Sequence, residues 1–190
     1  MPNFYIADVA QVPTDKQTAI TGTLNTLFTQ IAAGAINISW ITNASGIIIT
    51  DTDLLVYVVS SYSDSLVIHF PTNPTIDPSL NGLTVFQTTT SNGRVVSKKS
   101  ASEVYYDKSP NDVVLLAKLI FHESMHNKLV MGNEMHDQSG GLAQETITAN
   151  TQLSSADIQR WRNNWNNRVN QWPEGFGFIP APGDPLAGIL

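Results

Sequence analysis

The strongest constraint on the fold is one uninterrupted run, SPNDVVLLAKLIFHESMHNKLVM, residues 109 to 131. After Pro110 it contains no helix breaker, and it carries two histidines four residues apart. Ser109 is a favoured N-cap, Pro110 suits the first helical position, and Asp112 completes a capping-box spacing. A helix is therefore expected from that point to Gly132. His122 and His126 then project from one face of it. Two neutral imidazoles so placed can chelate one zinc ion at about 2.0–2.1 Å each. Glu123, directly after the first histidine, lies where a carboxylate can act as general base on the water such an ion activates, without ligating it.

A catalytic zinc needs a third protein ligand and an open position. The chain has four histidines, and three of them fall between residues 122 and 136, which favours His136. Gly132 stands about 9 Å along the axis from His126 at the helical rise. Four extended residues span roughly 13 Å, so the chain can reverse at Gly132 and bring His136 back. Asp137, next in sequence, can orient a ligand or ligate in place of His136.

Composition narrows the chemistry. The chain has no cysteine, which excludes disulfides, thiolate ligands and a cysteine nucleophile, so any metal is held by histidine and carboxylate. A length of 190 residues fits one domain, with an irregular Pro/Gly-rich tail at 173–190. The net charge of -6 argues against general affinity for nucleic acid or anionic membrane. No segment approaches the roughly 18 apolar residues of a membrane span. The N-terminus lacks a basic start followed by an apolar run, so no Sec-type signal peptide is expected; export would need a leaderless route or a leader outside this sequence.

The remaining elements read as α+β. PTDKQTAITGTLNTLFTQIAAG is expected to form a first helix, capped by Thr14 with Gln17 three residues on. Ile20, Leu24, Leu27, Phe28 and Ile31 form its apolar stripe, and Gly34 ends it. AINISWIT, GIIIT, LLVYVVSS and SLVIHF are expected strands of a small mixed sheet. LTVFQTTTSNGRVV predicts a hairpin around Asn92-Gly93, with SEVYY as a further short strand. Ser154, with Asp157 three residues on, is expected to cap a third helix running to Pro173, with Ile158, Trp161, Trp165, Val169 and Trp172 on its apolar side.

The HESMH pentapeptide, the glycine after it, the returning His136 and this order of elements resemble the metzincin clan of zinc endopeptidases. As a motif the resemblance covers residues 122–137; as an order of elements, most of the chain. It implies a zincin-like fold and one catalytic Zn2+ held by His122, His126 and His136. It also implies Glu123 as general base, and a protein or peptide substrate whose bonds are hydrolysed. Relative to the compact motif of that clan, Gly132 comes three residues later and His136 lies four residues past it. No methionine follows His136, and GGLA at 140–143 offers Leu142 in the position of the clan's Met-turn. The rival resemblance is to gluzincins, with Glu145 as third ligand. The competing class is a binding or structural module, such as a phage or injection-system component with a vestigial zinc site.

Three other features have ordinary readings. His69 lies in an apolar run and is expected to be half-buried rather than a ligand. Tyr57, Tyr62, Tyr105 and Tyr106 can each donate to a developing oxyanion, but tyrosines in strands usually pack. Trp161, Arg162, Trp165 and Arg168 interleave bases and aromatics, yet their helical stripe favours core packing over a nucleic-acid groove. The chain's oligomeric state is not legible.

Overall fold

The structure is a computed structural model that describes residues 3–31, 36–42, 47–67, 75, 77–91, 94–136, 140–166, 170–171 and 179–180. Asn3–Asp8 forms β1, Thr14–Ile31 α1, Asn37–Ile41 β2, Ile48–Ile49 β3 and Leu54–Val59 β4. Gly82–Ser91 forms β5, Arg94–Tyr105 β6, Val113–Leu129 α2, Ser155–Asn164 α3, Asn170–Gln171 β7 and Ile179–Pro180 β8. The fold is α+β, with a mixed sheet ordered β2-β1-β4-β6-β5. β1 runs parallel to both β2 and β4, β4 runs parallel to β6, and β5 is antiparallel to β6. The short β7 adds to β6, and β3 pairs with β8 apart from the main sheet, so the expected irregular tail contributes one two-residue ladder.

β4 explains why the sheet needs two cores. All six of its residues are buried, as expected of a central strand in a parallel region. Leu54, Val56 and Val58 face a cluster that includes all three helices. Leu55, Tyr57 and Val59 face a second cluster with Ala7, Ile41, Ile49 and Tyr105. β1 was not expected from the sequence; β2 and β4 pair with its backbone on both edges, and Phe4 and Ile6 are fully buried in the cluster shared with the helices.

The α1 stripe is as expected: Ile20, Leu24, Leu27, Phe28 and Ile31 are the buried residues of that helix. Thr14, however, is already helical, and the Gln17 side chain goes to Asp8 Oδ2 and the Val12 carbonyl instead of returning to a cap. SLVIHF does not begin as a strand. The peptide N–H groups of Leu66 and Val67 donate to Glu103 Oε2 at 3.0 and 3.3 Å, and Ser65 Oγ donates to Oε1. A buried carboxylate needs donors more than a strand edge does, so it takes these three. The expected hairpin forms, and the first four residues of SEVYY are simply the end of the 12-residue β6, with Tyr106 starting a 3-10 turn. Its turn, Asn92-Gly93, lies outside the described residues, as do Gly34 and His69.

α2 is the central helix. Residues 116 to 129 are all buried, including Lys118, His122, Glu123, Ser124, His126, Asn127 and Lys128. Phe121 anchors it in an aromatic cluster, with ring centroids 5.1 Å from Phe28 and 5.4 Å from Trp161. Its ends differ from the sequence expectation. The cap is Asp112, which accepts from the Leu115 N–H, whereas Ser109 Oγ is buried without a hydrogen-bond partner. The helix stops at Leu129, and Val130 takes the left-handed conformation at φ 54, ψ 44. The Val130 and Met131 N–H groups then bond back to the Asn127 and His126 carbonyls. The reversal thus begins two residues before Gly132, and the extra helical length implied by the glycine spacing is absent.

α3 starts as expected, with a full capping box between Ser154 and Asp157. It ends at Asn164, well short of Pro173, and Asn170–Gln171 pairs with β6 instead. Trp161 is fully buried, and Arg162 donates to the Gln30 and Ile31 carbonyls at the end of α1, so this stripe serves packing and helix capping. Arg168, Val169, Trp172 and Pro173 lie outside the described residues.

The left-handed Val130 carries a strain of about 1–2 kcal/mol that glycine would not. Val130→Gly is therefore expected to raise stability by about 1 kcal/mol after its own entropy cost. In thermal unfolding of the metal-free protein this is a Tm increase of about 2–4 °C; a lowered Tm would contradict the strain.

Candidate metal centre

α2 presents His122 and His126 on one face, both 6% exposed. His136 arrives from outside the helix. After Val130 the chain makes a 3-10 turn at Asn133–Met135, closed by the Met135 and His136 N–H groups, and the half-buried His136 follows it. Met135 itself is fully buried, which seats this turn on the main core. The three Nε2 atoms converge: that of His126 lies 3.1 Å from those of both His122 and His136. The three histidines form the one metal-competent cluster among the described residues.

Whether this cluster suits a cation follows from the other ring nitrogens. His122 Nδ1 lies 2.6 Å from the Leu142 carbonyl oxygen, and His126 Nδ1 lies 2.8 Å from that of Met131. A carbonyl can only accept, so each Nδ1 carries the hydrogen and each Nε2 presents a bare lone pair. Those two lone pairs face each other at 3.1 Å. Protonation does not relieve the repulsion, because burial, and then the proximity of His126, holds the His122 pKa down at about 3. Burial likewise holds His126 at about 4. Nitrogens about 2.05 Å from a tetrahedral centre stand about 3.3 Å apart, close to the spacing seen. The donor set therefore fits a divalent ion bound by three imidazoles.

Glu123 lies beside the cluster and is 5% exposed. Thr84 Oγ1 donates to its Oε2 at 2.6 Å. Gly82 runs across the other oxygen: a Cβ there would stand 2.8 Å from Oε1 and 2.9 Å from the Glu103 carbonyl oxygen, so any side chain displaces the carboxylate or the strand. Burial pushes the Glu123 carboxyl up to about 8; the Thr84 hydroxyl opposes this and the Glu103 charge adds to it. A dication close by favours the ionised form. The three histidines and Glu123 line a cavity of about 480 Å³, which is also lined by Asp77, by residues 79–84 and by residues 145–147.

No family model matches the chain, and no curated protein matches it.

The structure brings together His122, Glu123, His126 and His136. Glu145 shares the cavity but is not part of the histidine cluster, and no helix forms around it. Asp137 lies outside the described residues. None of the four tyrosines lines the cavity: Tyr57 and Tyr105 are buried on the far face of the sheet, Tyr62 is exposed, and Tyr106 accepts from Lys16. Leu142 stands near the site, as its spacing suggested, but contributes a carbonyl to His122. Sequence reading missed Thr84, Gly82 and both carbonyl contacts. The first two reach Glu123 only through the pairing of β5 with β6, and a backbone carbonyl has no sequence signature.

Asp157 has a second role besides capping α3. Its carboxylate accepts from the Leu142 and Ala143 N–H groups at 2.7 and 3.2 Å while still accepting from Ser154 N–H at 2.9 Å. Gly141 permits this approach, since a Cβ there would collide with Asp157 Oδ2 and Ser154 Oγ. The path runs from the Asp157 carboxylate through the Leu142–Ala143 peptide, from whose N–H it accepts, to His122 Nδ1, so a carboxylate orients that ring through a peptide group. Asp157→Asn is expected to weaken divalent-ion binding about 10–100-fold in a chelator competition, as outer-shell changes do. Ser154→Ala removes the same helix cap and should leave ion affinity within about twofold; equal losses in both variants would reduce Asp157 to a helix cap. Glu145→Ala should bind the ion as wild type does, and His136→Ala should not.

Proposed function

We propose that this chain is a zincin-type metallopeptidase, in which His122, His126 and His136 hold one catalytic zinc ion and Glu123 is the general base. The observation that carries this reading is the pair of opposed Nε2 lone pairs beside a buried carboxylate, opening on a cavity large enough for a side chain and its flanking peptide. A bound ion would supply Lewis acidity and lower the pKa of water enough for it to attack near neutral pH. Three imidazoles suit zinc, and the three-ligand set leaves the further position that a catalytic site needs.

The chain's own residues do the rest. Thr84 engages Oε2 of Glu123, which leaves Oε1 to take the proton from the attacking water and return it to the leaving amine. β5 forms the sheet edge beside the cavity: Gly82, Leu83 and Thr84 line it, and among the described residues β5 pairs only with β6. An extended peptide can add to that edge through backbone hydrogen bonds, with alternate side chains directed into the cavity. Such recognition calls for a peptide or unfolded segment as substrate, and among the described residues no lysine or arginine lines the cavity to oppose a basic one.

Glu123→Gln is the direct test of the mechanism. The variant is expected to keep one zinc per chain by elemental analysis and to lose at least about 100-fold in kcat on an unstructured protein substrate, the scale of a general base. Cleavage at the wild-type rate would exclude Glu123 from the reaction, and a zinc-bearing wild type that cleaves nothing would favour the structural module. Gly82→Ala should also depress kcat, because its methyl group takes the space of Oε1.

A further inference from the structure

We propose that Asn127, Ser102 and Thr84 form a one-way hydrogen-bond relay that fixes the Glu123 carboxylate to the substrate-side edge strand. The inference rests on the peptidase reading for the role of Glu123, but the relay itself stands on geometry. Its direction follows from which atoms can donate. The Leu55 carbonyl can only accept, so the Asn127 atom facing it at 3.5 Å is the amide nitrogen. On the other side of the same amide, Ser100 Oγ donates to Asn127 Oδ1 at 2.7 Å, which agrees with that orientation.

Asn127 Nδ2 then donates to Ser102 Oγ at 3.1 Å. Having accepted there, Ser102 has its single hydrogen for Thr84 Oγ1 at 2.8 Å; its other acceptor, the Glu123 carbonyl, is farther at 3.4 Å. Thr84 in turn has one hydrogen to give. Glu123 Oε2 at 2.6 Å is both nearer than the Glu123 carbonyl at 3.2 Å and the more charged acceptor. Every link points toward the carboxylate, and aligned links polarise one another.

The relay crosses three elements. Asn127 lies one helical turn after Glu123 on α2, Ser102 is on β6, and Thr84 stands directly opposite Ser102 in the β5–β6 register. Asn127, Ser100 and Ser102 are all fully buried, so water does not compete for these contacts. The base is thereby held at both ends: by its own helix and by the strand along which substrate would lie. Thr84, Ser102 and Asn127 are positioning residues, since they act through Glu123.

The test uses full-length, zinc-loaded protein. Thr84→Val keeps the shape and removes the hydroxyl; kcat should fall about 10–100-fold, the effect of misplacing a reacting group by about 1 Å. KM and zinc content should stay within about twofold of wild type, and Thr84→Ser should recover most of the loss. Ser102→Ala should lower kcat by a smaller factor, about 3–10-fold, because it breaks the relay one link back. A Thr84→Val enzyme with wild-type kcat, a Thr84→Ser enzyme no better than Thr84→Val, or loss of zinc in Thr84→Val would overturn the proposal. A second measurement does not depend on turnover. In NMR of the same zinc-loaded protein, the Thr84 hydroxyl proton should be deshielded and protected from exchange, absent in Thr84→Val, and shifted upfield in Ser102→Ala. If wild type cleaves no peptide, the peptidase reading falls and this resonance alone decides the relay. No protected hydroxyl proton, or one indifferent to Ser102→Ala, would sink it.

Discussion

Two backbone carbonyls, those of Leu142 and Met131, set the state of the site. By accepting from Nδ1 of His122 and His126 they turn both Nε2 lone pairs inward, against each other, within a helix buried on all sides. In water each ring would choose its own tautomer or a proton; here burial removes the proton and the carbonyls remove the choice. A cation between them compensates two opposed lone pairs. Much of the surrounding chain bears on where those carbonyls lie. The strained Val130 delivers that of Met131, and the Asp157 carboxylate delivers that of Leu142. Lys118, one turn before His122, donates to the carbonyls of Ala149 and Thr151 and fastens the far end of the same loop.

The sheet supplies the other half. β6 separates two buried carboxylates, Glu103 on one face and Glu123, carried by α2, on the other. Glu103 is surrounded by donors from Ser65, Leu66, Val67 and Tyr105, and it fixes a loop. Glu123 has the Thr84 hydroxyl and opens on a cavity. The two differ in donors: among the described residues Glu103 accepts four hydrogen bonds, whereas Oε1 of Glu123 accepts none. Both are pushed upward by burial, so the raised value alone does not tell them apart.

The parts of this arrangement visible in the sequence are those encoded by local spacing. The i, i+4 histidines, the α1 stripe, the Ser154–Asp157 capping box and the hairpin each depend on residues within a few positions of one another. What escaped depends on distant partners. β1 is a strand because β2 and β4 flank it, and Ser65–Val67 is not one because Glu103 competes for its N–H groups. The cap of α2 moved from Ser109 to Asp112, as two good capping residues three apart leave the choice to packing. The end of α2 was misplaced for a different reason: glycine is the usual left-handed residue, and here a valine adopts that conformation two positions earlier. The third histidine of the cluster could be named from its position in the sequence, while the contacts that orient the rings are made by backbone atoms that carry no residue label.

We propose that three imidazoles hold one ion through Nε2. X-ray absorption of the zinc-loaded protein tests it most directly. Three imidazole nitrogens at about 2.0 Å with one further light-atom ligand, reduced by one imidazole in His136→Ala and unchanged in Glu145→Ala, are the predicted result. A zinc shell with two imidazoles and a carboxylate that is lost in Glu145→Ala, or a protein that binds no zinc, would contradict it.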